Sequence, residues 1–73
     1  MNIEAIIKQV ANEHKINLDM NNKNVTLKDI GIDSLAAMNL IMKVEDKVGF
    51  QLDDSEILKI RTLGDLIRAF EQH

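Results

Sequence analysis

Apolar residues recur at the spacing of a helical face in three stretches of the chain, and irregularly between the first two. Ile3, Ile6, Ile7 and Val10 stand at i, i+3, i+4 and i+7, which at about 100° per residue puts them on one stripe. With Asn2 available to cap, they predict a first helix over about residues 3–14. Leu63, Leu66, Ile67 and Phe70 repeat the spacing behind Thr62 and Asp65. That pair is a variant of the capping box, and its acid also suits the positive end of a helix over about 63–72. A short apolar piece, Ile57, Leu58 and Ile60 behind Asp54-Ser55, predicts one or two helical turns.

The longest pattern, from Ser34 to Val48, carries apolar positions on two faces. Ala37, Leu40, Ile41, Val44 and Val48 form a broad stripe that reads as core. Leu35, Met38 and Met42 form a second, narrower strip flanked by Glu45 and Asp46. Two readings are open for this strip. The short third helix or the loop covers it, with methionines filling gaps, or it is exposed as an adaptable docking face with a charged rim.

The connection from Lys15 to Asp33 is long, and Asn17, Asn21, Asn22 and Asn24 favour turns. Ile16, Leu18, Val25, Leu27 and Ile30 are spaced without strict alternation. They predict a loop laid across the helices and pinned by apolar anchors, not a strand.

Composition narrows the function. With 73 residues, 45% hydrophobic and 29% charged, the chain makes one small soluble domain, residues 1–73, too small for a large cleft. No apolar run approaches the roughly 20 residues that span a bilayer, and MNIEAIIKQV has no secretory pattern, so a cytoplasmic address is expected. There is no cysteine, which excludes a disulfide framework, a thiolate zinc site and a protein thiol nucleophile. The net charge of −3 lacks the basic stripe of a nucleic-acid binder. The acids concentrate between Lys28 and Glu56, where seven acids face three bases, a balance of −4 against +1 for the rest of the chain. This is either a solvated face or one that steers basic partners.

Against that background, Gly31-Ile32-Asp33-Ser34-Leu35 places one hydroxyl at the head of the longest helix. Gly31 permits a tight turn, Asp33 is a strong N-cap candidate, and Ser34 falls in the first helical turn. A phosphate esterified there would lie in the favourable field of the helix start. A catalytic serine would need a base. The two histidines, His14 and His73, read as solvated surface residues without a partner of triad type. The carboxylates show no metal-ligand spacing.

At these residues the chain resembles the acyl carrier protein family, whose hallmark is G-x-D-S-L at the start of the second helix. The likeness extends over nearly the whole chain: Asp29-Ile30-Gly31, Val44-Glu45-Asp46, the acidic entry Leu52-Asp53-Asp54, and Ile60-Arg61-Thr62-Leu63. It implies an all-α four-helix bundle of three longer helices and a short third one. It also implies a covalent 4′-phosphopantetheine on Ser34, supported by Gly31 and Asp33 and installed from coenzyme A by a phosphopantetheinyl transferase. The chain would then be a carrier and not a catalyst. It would hold acyl groups as thioesters for ketosynthases, acyltransferases or ligases of fatty acid, polyketide or related biosynthesis. By position, Leu35, Met38, Met42, Glu45, Asp46 and Asp54 resemble the family's partner contacts. Ile41, Val44, Leu52, Ile57 and Ile60 resemble the lining that sheathes an acyl chain.

There are departures. Bacterial fatty-acid carriers typically have acids where this chain has Ala36 and Asn39, and Lys43 and Lys47 cancel the two acids of the second helix. Apolar contact is therefore expected to carry more of partner recognition. Asp53 stands where proline is common. A free-standing monomer is expected, with two alternatives: a peptidyl or aminoacyl carrier, and an unmodified helical interaction module.

Overall fold

A computed structural model describes residues 1–73. Four α-helices follow one another: α1 (Ile3–Glu13), α2 (Ser34–Val48), α3 (Asp54–Leu58) and α4 (Leu63–Glu71), with a 3₁₀ turn at Lys28–Ile30 before α2. The fold is the all-α four-helix bundle with a short third member. Each long helix starts where its cap residue is. Asn2 Oδ1 accepts from Ala5 N–H at 3.1 Å, Asp33 Oδ1 from Ala36 N–H at 2.8 Å, and Thr62 Oγ1 from Asp65 N–H at 3.0 Å. These caps act within three residues, which is why they are readable in the sequence.

One core holds the helices together. It comprises 16 buried residues, among them Ile7 and Val10 of α1, Leu40, Ile41 and Val44 of α2, and Leu63, Leu66 and Phe70 of α4. Helix α1 packs on both α2 and α4, so the broad stripe predicted for α2 is the one that turns inward. The connection is pinned as expected through Leu18 and Leu27, which are buried, with Ile16, Val25 and Ile30 half-buried. Ile32, the variable position of the glycine–serine motif, is a further buried anchor.

The connection is more ordered than its sequence suggests. Thr26 pairs with Thr62 in an isolated antiparallel bridge, with Leu27 N–H donating to Arg61 O at 2.9 Å and Leu63 N–H to Val25 O at 3.0 Å. Gly64 N–H donates to Lys23 O at 2.8 Å. A Cβ at Gly64 would lie 3.1 Å from that same carbonyl, so any larger residue would push strap and helix apart by a few tenths of an ångström.

The histidines divide. His14 caps α1 and is exposed. His73 is not simply solvated: its Nε2 lies 2.8 Å from Glu56 Oε2, and its ring lies 5.0 Å from that of Phe50. The fold brings the end of α4 beside α3, a juxtaposition of residues 17 apart that no local pattern announces.

Candidate functional site

Ser34 is the first residue of α2 and is exposed. The chain reaches it through the 3₁₀ turn, which closes with Gly31 N–H donating to Lys28 O at 3.0 Å. Gly31 sits at φ 84°, a left-handed conformation open to glycine at little cost. Ile32 then anchors the segment in the core while its N–H donates to Leu27 O at 2.9 Å. Asp33 takes the cap, and the helix runs on to Gly49. The serine is thus held on a stiff corner between a buried isoleucine and a capped helix.

The first amides of an α-helix have no intrahelical acceptor. In α2, Asp33 satisfies those of Ala36 and Ala37 through its side chain and its carbonyl, both at 2.8 Å. The N–H groups of Ser34 and Leu35 have no acceptor in the chain and both residues are exposed, so the positive end of the helix lies open beside the hydroxyl. Neither histidine borders the groove beside Ser34: His73 is engaged with Glu56, and His14 stands at the end of α1.

Beside Ser34 lies an open groove of about 570 Å³. It is bordered by the Thr26–Asp29 segment, by Ile32 to Ser34 and Ala37, and by Ile60-Arg61. Of the five residues that resemble an acyl lining, Ile60 alone borders this groove. Ile41, Val44 and Leu52 are buried in the core, and Ile57 is packed half-buried against it. Thr26, Lys28 and Arg61 belong to the groove although the sequence pattern gives none of them a role at the site. Their placement follows from the bridge that ties the connection to the start of α4.

The outer face of α2 is bare of apolar cover. Leu35 is 73% exposed, Met42 54% and Met38 40%, and on α3 Leu58 is 84% exposed. The structure therefore leaves the second strip open to solvent. The acids around it are not equivalent. Glu45 Oε2 accepts from Leu52 N–H at 2.8 Å, so this carboxylate ties the α2–α3 connection down. Asp46 and Asp54 are exposed. Lys47 lies 3.9 Å from Glu13 of α1, whereas Lys43 has no ion-pair partner within the chain. Two other carboxylates are held below their ordinary range. Asp65, ordinarily 3.8, is lowered chiefly by the Thr62 N–H against a desolvation cost, with help from the Arg61 N–H, the Thr62 hydroxyl and Arg68. Glu56, ordinarily 4.5, is lowered chiefly by the Asp53 N–H and then by His73. Both serve helix starts, away from Ser34.

Sequence comparison places this geometry in context. The phosphopantetheine attachment site family matches residues 4–70. An acyl carrier protein homolog of Ureaplasma parvum is 58% identical over 71 residues, covering 97% of this chain and 92% of the relative. The acyl carrier protein of Exiguobacterium sibiricum is 35% identical over 69 residues, 93% of this chain and 82% of its own. That of Helicobacter acinonychis is 32% identical over 71 residues, 97% and 88%. A helical bundle matched along nearly its full length by relatives of this kind is a carrier and not an enzyme, and the chain belongs to the acyl carrier protein family, whose phosphopantetheine attachment domain bears a covalent 4′-phosphopantetheine.

Proposed function

We propose that Ser34 is the residue that bears the 4′-phosphopantetheine, and that residues 1–73 act as one carrier domain delivering acyl groups to biosynthetic enzymes. The observation that carries this reading is the exposed Ser34 hydroxyl at an open helix start, within the part of the chain that the family matches. The residues fit such a group. The hydroxyl is accessible to a transferase, the free N–H groups of Ser34 and Leu35 and the helix dipole favour a phosphodiester, and a groove adjoins it. When bound, the group supplies the thiol that the cysteine-free chain lacks, so acyl groups can be carried as thioesters.

The chain's own residues orient and present the arm. Gly31 and Asp33 fix the corner that holds the hydroxyl outward, and Ile32 keeps that corner from swinging. Leu35, Met38 and Met42, with Asp46 and Asp54 beside them, form the face that meets ketosynthases, acyltransferases or ligases. With Lys43 free on α2 and Glu45 engaged internally, apolar contact carries more of that recognition than charge does. Such a partner set belongs to fatty acid, polyketide or related biosynthesis.

Intact-mass measurement tests the reading. Incubation with a broad phosphopantetheinyl transferase and coenzyme A is expected to add a single phosphopantetheine to the protein, and Ser34→Ala to abolish the gain while leaving the helical signal unchanged. A chain that stays unmodified under those conditions would refute it.

A further inference from the structure

Two basic residues, Lys28 and Arg61, border the same groove as Ser34. Neither has a carboxylate within ion-pair distance; the four ion pairs of the structure use Lys23, Lys47, Arg68 and His73. The two segments that carry them do not move independently. The Thr26–Thr62 bridge joins them, and Leu27 N–H donates to Arg61 O at 2.9 Å. The groove therefore has a hydrogen-bonded wall, apolar surface from Leu27, Ile32 and Ile60, and two cations without an internal counterion. Two acids also border it. Asp33 Oδ1 is taken by the Ala36 N–H, which leaves Asp29 as the one carboxylate there with no hydrogen-bond or ion-pair partner in the chain.

We propose that this groove is the resting place of the prosthetic arm, with Lys28 and Arg61 as positioning residues that hold it against the protein. The inference rests on modification at Ser34. A phosphodiester followed by an amide-bearing chain suits such a surface. Guanidinium and ammonium groups donate charge-assisted hydrogen bonds to phosphate and amide oxygens, and the apolar floor receives the methylene and methyl groups between them. The groove is open, so the arm lies along it reversibly and leaves when a partner enzyme engages the outer face of α2.

Amide and phosphorus NMR on the protein before and after loading with transferase and coenzyme A tests this directly. Loading is expected to shift the amides of Thr26, Leu27, Ile60 and Arg61 as well as those of Ser34 to Ala37, and added salt to reverse part of the effect at the former. Lys28→Gln and Arg61→Gln, both exposed positions, are each expected to lower the docked-to-free ratio about twofold to fivefold, the range of exposed charge contacts. Asp29→Asn is expected to raise it. Shifts confined to the first turn of α2, or shifts in the loaded Lys28→Gln/Arg61→Gln protein equal to the unsubstituted one, would overturn the proposal with Ser34 modification intact. Slower loading of the double variant with unchanged shifts would assign the two bases to the transferase and overturn it equally. Failure of the mass gain itself would remove the underlying reading as well.

Discussion

At the start of α4 the first four amides all have acceptors, while at the start of α2 two do not. In α4, Leu63 N–H donates to Val25 O, Gly64 N–H to Lys23 O, Asp65 N–H to Thr62 Oγ1, and Leu66 N–H to Thr62 O. The connecting segment lies over this helix end as a strap, and Leu63, the first residue of the helix, is fully buried. In α2, Asp33 caps Ala36 and Ala37, and Ser34 and Leu35 stand exposed with no acceptor for their N–H groups. Both starts follow the same capping chemistry. They differ in whether the rest of the protein closes over them. A closed start gives stability, and an open one gives a field in which an attached anion is favoured. The contrast separates residues that hold this fold together from those the proposed attachment would use.

The largest effect expected from breaking the closed start is at Leu63. Leu63→Ala should cost about 2–5 kcal/mol by loss of buried area and the cavity left behind, whereas Leu35→Ala at the second position of α2 should stay within about 0.5 kcal/mol. Urea denaturation of the two variants measures both, and similar losses would erase the distinction between the two ends. Thr62→Ala removes the hydroxyl from the α4 cap and should cost about 1 kcal/mol with phosphopantetheine incorporation unchanged, read by denaturation and intact mass.

Acid should act on the starts of α4 and α3 through the carboxylates that cap them. Asp65 and Glu56 are held below their ordinary values of 3.8 and 4.5 in the folded protein. Their contribution is therefore present at neutral pH and is lost as pH falls from those values through the lower folded ones. The urea midpoint should stay level down to about pH 5 and decline below it, and Asp65→Asn should flatten part of that decline. The smallest structural effect is expected on the open face. Met38→Asp or Met42→Asp should leave the helical signal and the mass gain intact, change stability by about 0.5 kcal/mol or less, and slow acyl transfer by partner enzymes. Unfolding of these variants would instead make the strip part of the core.

The three long helices and their caps were legible because periodicity and capping are local. Asn2, Asp33 and Thr62 each reach an amide three residues on, and the stripes of α1, α2 and α4 repeat at helical spacing. The corner at Gly31 was equally local, since a left-handed turn before a capped helix requires little beyond its own residues. The hidden parts depend on meetings between distant segments. Ile32 sat unremarked within the motif, yet it anchors the corner. Glu45 looked like a rim acid and is engaged with Leu52, and His73 looked solvated and is paired with Glu56. Lys28 and Arg61 carry no pattern of their own and share a groove only because Thr26 bridges to Thr62.

The amino-acid sequence by itself determined the helices, the position of the serine at a helix start and the resemblance to a carrier, because each is encoded in residues no more than a few positions apart. The tertiary structure alone decided which apolar strip is exposed, which charges are free to meet a partner and what surface lies beside Ser34. Those depend on which segments cover one another, and burial of one face in a common core is what leaves the other face open.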